Sequence, residues 1–160
     1  MPLEDRAKAI RETVIQMLVA AGSGHTAGSL GMADIFTAFY FHILKHDPKN
    51  PEWSERDRLV LSNGHICPVQ YAAMAHAGYF PLEECLTLRK FGSRLQGHPE
   101  RTRLLGLETT SGPLGEGLSQ AAGMALALKG FVNPSSDEGF TKPIHSESEA
   151  KSLRYFSPVK

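Results

Sequence analysis

The strongest constraint on the fold is a helical period that starts early and returns. Leu3, Ala7, Ile10, Val14, Leu18 and Ala21 are spaced three or four apart, with Arg6, Lys8, Arg11, Glu12 and Gln16 between them. That spacing puts the apolar side chains on one face, so residues 3–21 read as an amphipathic helix that must be covered on that face. It stops at Gly22-Ser23-Gly24, where glycine removes the steric cost of unusual backbone angles. A second stripe joins Met32, Ile35, Phe36, Phe39, Tyr40, Ile43 and Leu44. Ala38 and Phe41 widen it, which predicts a helix buried on most sides. Asp47-Pro48 and Asn50-Pro51 end it, because the residue before proline avoids helical angles.

Between the helices lie apolar runs too short to be helical. Leu59-Val60-Leu61, closed by Asn63-Gly64, predicts a strand over residues 57–62, and residues 107–110 predict a second. Pro68 suits a helix first turn, and that helix runs through Tyr71, Ala72, Met74 and Ala75 toward Gly78. Another helix is expected from Pro81, carrying Leu82, Cys85, Leu86 and Leu88. A polar, arginine-bearing loop follows over residues 92–103, and a last helix over residues 118–128. Helices alternating with short strands argue for an α/β layer with a short parallel sheet. After Gly130 the character changes. Residues 131–160 hold Pro134, Pro143, Pro158 and six serines with no period, and read as a divergent, weakly ordered tail to a domain of residues 1–130.

Composition closes off several classes of function. Seventeen basic side chains balance seventeen acidic ones, so bulk charge suggests neither a nucleic-acid nor a membrane surface. No apolar run approaches the ~18 residues of a membrane span, and the N-terminus has no signal pattern. Cys67 and Cys85, each among apolar residues, read as buried free thiols of a reducing compartment, with the cytoplasm as default. No metal site is legible: no cluster of ligating residues has zinc spacing.

Two features could carry chemistry. Three of the seven histidines follow a glycine, at Gly24-His25, Gly64-His65 and Gly97-His98, where composition would give fewer than about one such pair. Each falls at an element end or in a loop, where an imidazole can reach a cleft, bind a hydroxyl or phosphate, or move a proton near neutral pH. For any one alone, an ordinary loop histidine after a flexible glycine is the simpler reading. His42, His46, His76 and His145 read as structural or solvent-facing. The second feature is the turn Gly112-Pro113-Leu114-Gly115-Glu116-Gly117 entering a helix, where exposed backbone N–H groups attract anions, although a plain turn would look the same. Arg94, Arg101 and Arg103 could meet phosphates but fit a solvated basic loop.

Ser23-Gly24-His25, Asp57-Arg58 with Leu61-Ser62-Asn63-Gly64-His65, Gly97-His98-Pro99-Glu100, and Glu108-Thr109-Thr110-Ser111-Gly112-Pro113-Leu114-Gly115 stand in this order. Together they closely resemble the N-terminal region of transketolases over residues 5–129, most of all the N-terminal subunit of bacterial split transketolases. The resemblance implies a helix-rich, incomplete piece of the thiamine-diphosphate-binding fold. It also implies an enzyme that moves a two-carbon ketol unit between sugar phosphates with thiamine diphosphate and magnesium as cofactors. By the same resemblance His65 lies beside the cofactor's diphosphate and thiazolium end. His25 and His98 hold the donor's oxygens and assist proton transfer, while Gly112, Pro113 and Leu114 form the turn against the cofactor. The cofactor supplies most of the chemistry; the protein orients and supplies protons.

Two departures stand out. Thr26 replaces a proline common in the family, a small change. The family continues with a strand and Gly-Asp-Gly, whose aspartate and a later asparagine hold magnesium; this sequence has no Gly-Asp, and Ser136-Asp137-Glu138-Gly139 is no substitute. The magnesium ligands are therefore expected to be absent from this chain. Two main readings follow: a piece that shares an active site with a C-terminal transketolase subunit or in a homo-oligomer, and an inactive truncated or frame-shifted fragment. A deoxyxylulose-phosphate-synthase-like enzyme is a third.

Overall fold

The computed structural model describes residues 1–128. The expected first helix forms as α1 (Leu3–Ala21), with Glu4 and Asp5 in the first turn, where carboxylates suit the positive helix end. It buries Ala7, Ile10, Val14, Met17 and Leu18. Gly22 ends it at φ 64°, a left-handed angle, and its N–H turns back to the carbonyls of Leu18 and Val19 at 3.0 and 3.2 Å.

The second stripe is helical but not one helix. It is divided into α2 (Thr26–Gly31), α3 (Ala33–Ala38) and a wider π-turn over Phe39–Ile43. The cause of the widening lies outside the stripe. His46 Nε2 donates to the Tyr40 carbonyl at 2.7 Å, and the Leu44 N–H reaches Phe39 O at 2.8 Å instead. Tyr79 Oη in turn meets His46 Nδ1 at 3.0 Å and fixes the ring.

The centre of the molecule is α4 (Cys67–Ala77), with Pro68 in its first turn as expected. Every residue from 67 to 75 is buried, Gln70 included, so this helix is enclosed on all sides rather than amphipathic. α1 and α3 pack against it, and Leu88, Leu95, Leu104 and Leu107 from the loops complete the core. Gly78 closes it at φ 97°. The helix expected from Pro81 forms as a tighter 3-10 stretch over Leu82–Thr87, where the Thr87 hydroxyl caps the Glu84 carbonyl. Cys67 and Cys85 are free and buried, and burial pushes both thiols up to about 12. His46 and His76 are structural as expected: His76 Nε2 shares a hydrogen bond with Thr13 Oγ1 at 2.9 Å, and His42 is exposed.

The parallel sheet expected from residues 57–62 and 107–110 is absent among the described residues, which contain no strand. The two runs do approach each other, but side chains and loops take the groups that a ladder would use. Ser111 Oγ donates to the Leu61 carbonyl at 2.7 Å, the Ser111 N–H goes to Pro99 O, and Asp57 exchanges bonds with Lys45. Glu108 joins the runs through Arg56 at 3.1 Å and Arg58 at 3.8 Å. Beyond them α5 (Glu116–Leu128) begins two residues earlier than the period indicated. Only Gly117 and Ala125 of α5 are buried, while Leu118 is 65% and Leu126 49% exposed. The tail expectation for residues 131–160, with His145, lies outside the described residues. Among the described residues no helix is long and apolar enough to cross a membrane.

Candidate functional site: three imidazoles beside an apolar cleft

His25 occupies the extended position just before α2, held there because its carbonyl accepts the Ser29 hydroxyl at 2.8 Å. His65 sits in the 3-10 turn Gly64–Ile66 that leads from the first apolar run into α4. The two rings meet edge to face, centroids 4.9 Å apart at 72°. His98 comes from the long loop and closes the group. A Cβ on Gly64 would lie 3.1 Å from His98 Cδ2 and 2.9 Å from Ser111 Oγ, so glycine at 64 is what lets the loop and the Ser111 turn approach this backbone. Three histidines far apart in sequence thus share one surface.

His98 is held below the ordinary histidine value by burial first, then by the Arg89 guanidinium and by the neighbouring His65 and His25. Its neutral form is favoured, which suits a group that accepts and returns protons. Arg89 is a residue that the sequence pattern did not single out. It adopts φ 61°, rare for a side chain of its size, and its N–H is fixed to Leu95 O at 2.9 Å. The guanidinium donates to Ser23 Oγ at 3.2 Å and lies against Gly97, where an added Cβ would come within 2.9 Å of its Nε. Nothing in Leu88-Arg89-Lys90 distinguishes it from a surface basic pair. Of the arginines that were singled out, Arg94 forks onto Glu84 at 2.8 and 2.7 Å and Arg103 pairs with Glu100, both as a solvated loop would.

A cleft of about 490 Å³ opens beside the imidazoles, between α3, the run at residues 58–63 and α5. Met32, Phe36, Phe39, Leu118 and Met124 make its walls mostly apolar, with Arg58, Ser62, Asn63 and His65 as polar members; His25 and His98 do not line it. Leu114 lines it; Gly112 and Pro113 do not, and are half-buried and exposed on the approach to α5. The turn that carries them is anchored at both ends, by Ser111 Oγ on Leu61 O and by the Gly115 N–H on Ser62 O at 3.0 Å.

The imidazoles supply hydrogen-bond donors and Arg89 positive charge for an anionic group, and the cleft beside His65 supplies apolar walls for its body. Magnesium does not fit the described residues. It needs several oxygen ligands, no group of three or more His, Cys, Asp or Glu is placed to hold a metal, and Glu84, Glu100 and Glu108 are each engaged by arginine.

Comparison with known proteins gives the family of the chain. Residues 4–147 match the family model described as transketolase, thiamine diphosphate binding domain. The chain is 46% identical over 127 residues to the 6-deoxy-6-sulfo-D-fructose transketolase subunit SqwG of Clostridium sp. (strain MSTE9), covering 79% of this chain and 46% of that protein. It is 44% identical over 127 residues to transketolase 1 of Escherichia coli (strain K12), covering 79% of this chain but 19% of that one. Among solved structures, transketolase from Leishmania mexicana superposes with a TM-score of 0.77 at 37% identity, over 84% of this chain and 21% of the other. A transketolase from Pichia stipitis in complex with sedoheptulose-7-phosphate gives 0.76 at 38%, over 79% and 19%. The chain therefore spans less than half the length of these relatives, and it belongs to the transketolase family, within its thiamine-diphosphate-binding domain.

Proposed function

We propose that this chain contributes the imidazole-bearing wall of a thiamine-diphosphate-dependent ketol transferase acting on sugar phosphates, and that a second polypeptide completes the site. The observation that carries the reading is the grouping of His25, His65 and His98, with Arg89 beside His98, around an imidazole, His65, that lines an apolar cleft. When bound, thiamine diphosphate supplies the stabilisation of negative charge on carbon that two-carbon transfer requires. The chain's own part is binding and proton handling. His65 and Arg89 offer donors to a diphosphate; His25 and His98 orient the sugar's oxygens. The largely neutral His98 takes and returns a proton. Leu114, with Gly112 and Pro113 behind it, shapes the wall against the cofactor.

Activity is proposed for the assembled protein, because the described residues hold no magnesium site and α5 leaves Leu118 and Leu126 open. The same two observations favour a second reading, in which the chain alone is catalytically inactive. A C-terminal transketolase subunit, or a second copy, would cover α5 and pair with the extended run at residues 59–61. The parallel sheet would form at that point. Buried free thiols at Cys67 and Cys85 fit a reducing compartment, for which the cytoplasm is the simplest choice.

A thermal melt with and without thiamine diphosphate tests the reading, run with the chain alone, with magnesium, and with a C-terminal transketolase subunit. Ligand at 100 times its dissociation constant adds about 2.7 kcal/mol, a plainly visible shift. A shift only with the partner supports the shared site. No shift in any arm leaves the inactive-fragment reading and removes the first.

A further inference from the structure

Cys67 and Tyr71 stand one turn apart on the same face of α4, both fully buried. Their polar atoms point at the backbone of the loop that carries His98. Tyr71 Oη lies 3.1 Å from the Gln96 carbonyl and 3.3 Å from the His98 carbonyl. Cys67 Sγ lies 3.3 Å from the Gly97 carbonyl and 3.6 Å from that of Gln96. Three consecutive carbonyls thus share two donors, both from one helix. A tyrosine hydroxyl and a thiol each offer a single hydrogen, so the contacts are shared rather than one-to-one. The opposite side of the loop is set by close approach instead, with His98 against Gly64 and the Arg89 guanidinium against Gly97.

We propose that Tyr71 and Cys67 are positioning residues for His98. From the core they grip the carbonyls of residues 96–98 and hold the imidazole beside His65. α4 suits this task because it is the most buried helix among the described residues and begins immediately after the turn that bears His65. One rigid helix therefore locates two of the three histidines, His65 through the covalent chain and His98 through the Tyr71 and Cys67 side chains. Burial pushes the Tyr71 hydroxyl far up and the Cys67 thiol to about 12, so both remain protonated donors wherever the protein is handled. The consequence for function rests on the reading of His98 as a substrate-facing group.

The test reads position and titration, not activity, so its failure is distinct from failure of the ketol-transfer reading. Imidazole NMR titration and amide exchange are followed on the full chain, with His98 assigned by the loss of its signal in His98→Gln. Tyr71→Phe keeps the ring and removes the hydroxyl. Exchange at the two hydrogen-bonded amides that flank the loop, Arg89 on Leu95 O and Ser111 on Pro99 O, is expected to rise about fivefold, the worth of one ordinary hydrogen bond. The His98 titration should move up toward the ordinary histidine value, while His76, remote from the loop, stays where it was. Cys67→Ala should act in the same direction, and Cys67→Ser, which keeps a donor, should restore most of the effect. This second pair keeps the test open should Tyr71→Phe not fold. Unchanged exchange at Arg89 and Ser111 with an unchanged His98 titration in folded Tyr71→Phe or Cys67→Ala would overturn the proposal, as would equal effects of Cys67→Ala and Cys67→Ser.

Discussion

Gly64→Ala isolates the contact on which the site depends. The new Cβ would lie 2.9 Å from Ser111 Oγ, 3.0 Å from the Ser111 carbonyl oxygen and 3.1 Å from His98 Cδ2. The backbone angle at Gly64 is not left-handed, so alanine meets crowding and no conformational penalty. Neither Ser111 group yields easily: its hydroxyl donates to Leu61 O at 2.7 Å and its side chain is buried. Overpacking of this kind costs about 1–3 kcal/mol. For a chain of this length that lowers the melting temperature by roughly 3 to 9 °C. Gly112→Ala is the control, since nothing lies within 4 Å of its added Cβ; it should change stability by less than about 0.5 kcal/mol. Thermal melts by circular dichroism, with imidazole NMR to follow His98, make the comparison. A Gly64→Ala protein that melts within a degree of the parent, with His98 unmoved, would refute the claim that the Ser111 turn and the His98 loop close on this backbone.

Other outcomes follow from individual contacts. Arg89→Ala removes a positive neighbour, so the His98 titration should move upward toward the ordinary value; an unchanged NMR titration would place the guanidinium elsewhere. Histidines held below 6.5 in the folded state bind fewer protons than in the unfolded chain. The share of stability contributed by His98 and His76 is therefore complete above that value and is lost as pH falls through it, which denaturant midpoints across pH 5–7.5 would read. Glu108→Ala strands the Arg56 guanidinium, whose Nη1 already has no hydrogen-bond partner. A loss of about 3 kcal/mol is expected by urea unfolding, whereas a neutral result would mean that the pair is solvated. Leu118→Glu should leave the isolated chain's melt within about 0.5 kcal/mol of the parent, because the side chain is exposed. It should weaken pull-down by a C-terminal transketolase subunit, and undiminished capture would mean that α5 is not the covered face.

Much of this protein is decided by local pattern. The period of α1, the first-turn proline of α4 and the stops at Gly22 and Gly78 are local matters, since helix faces and left-handed caps depend on residues within one or two turns. The Gly-His pairs were legible for the same reason, as three unusual dipeptides at element ends. Tertiary contacts decided the rest. His46 on the Tyr40 carbonyl widened the second helix, while the Ser111 hydroxyl on Leu61 O and the Lys45 carbonyl on the Asp57 N–H took groups that strands at residues 57–62 and 107–110 would have paired. Arg89 reached the site through a left-handed turn that no composition or period announces. The grouping of His25, His65 and His98 is likewise a property of packing: sequence separation carries no distance, and only the close approach at Gly64, together with the core beneath it, brings the three imidazoles onto one surface.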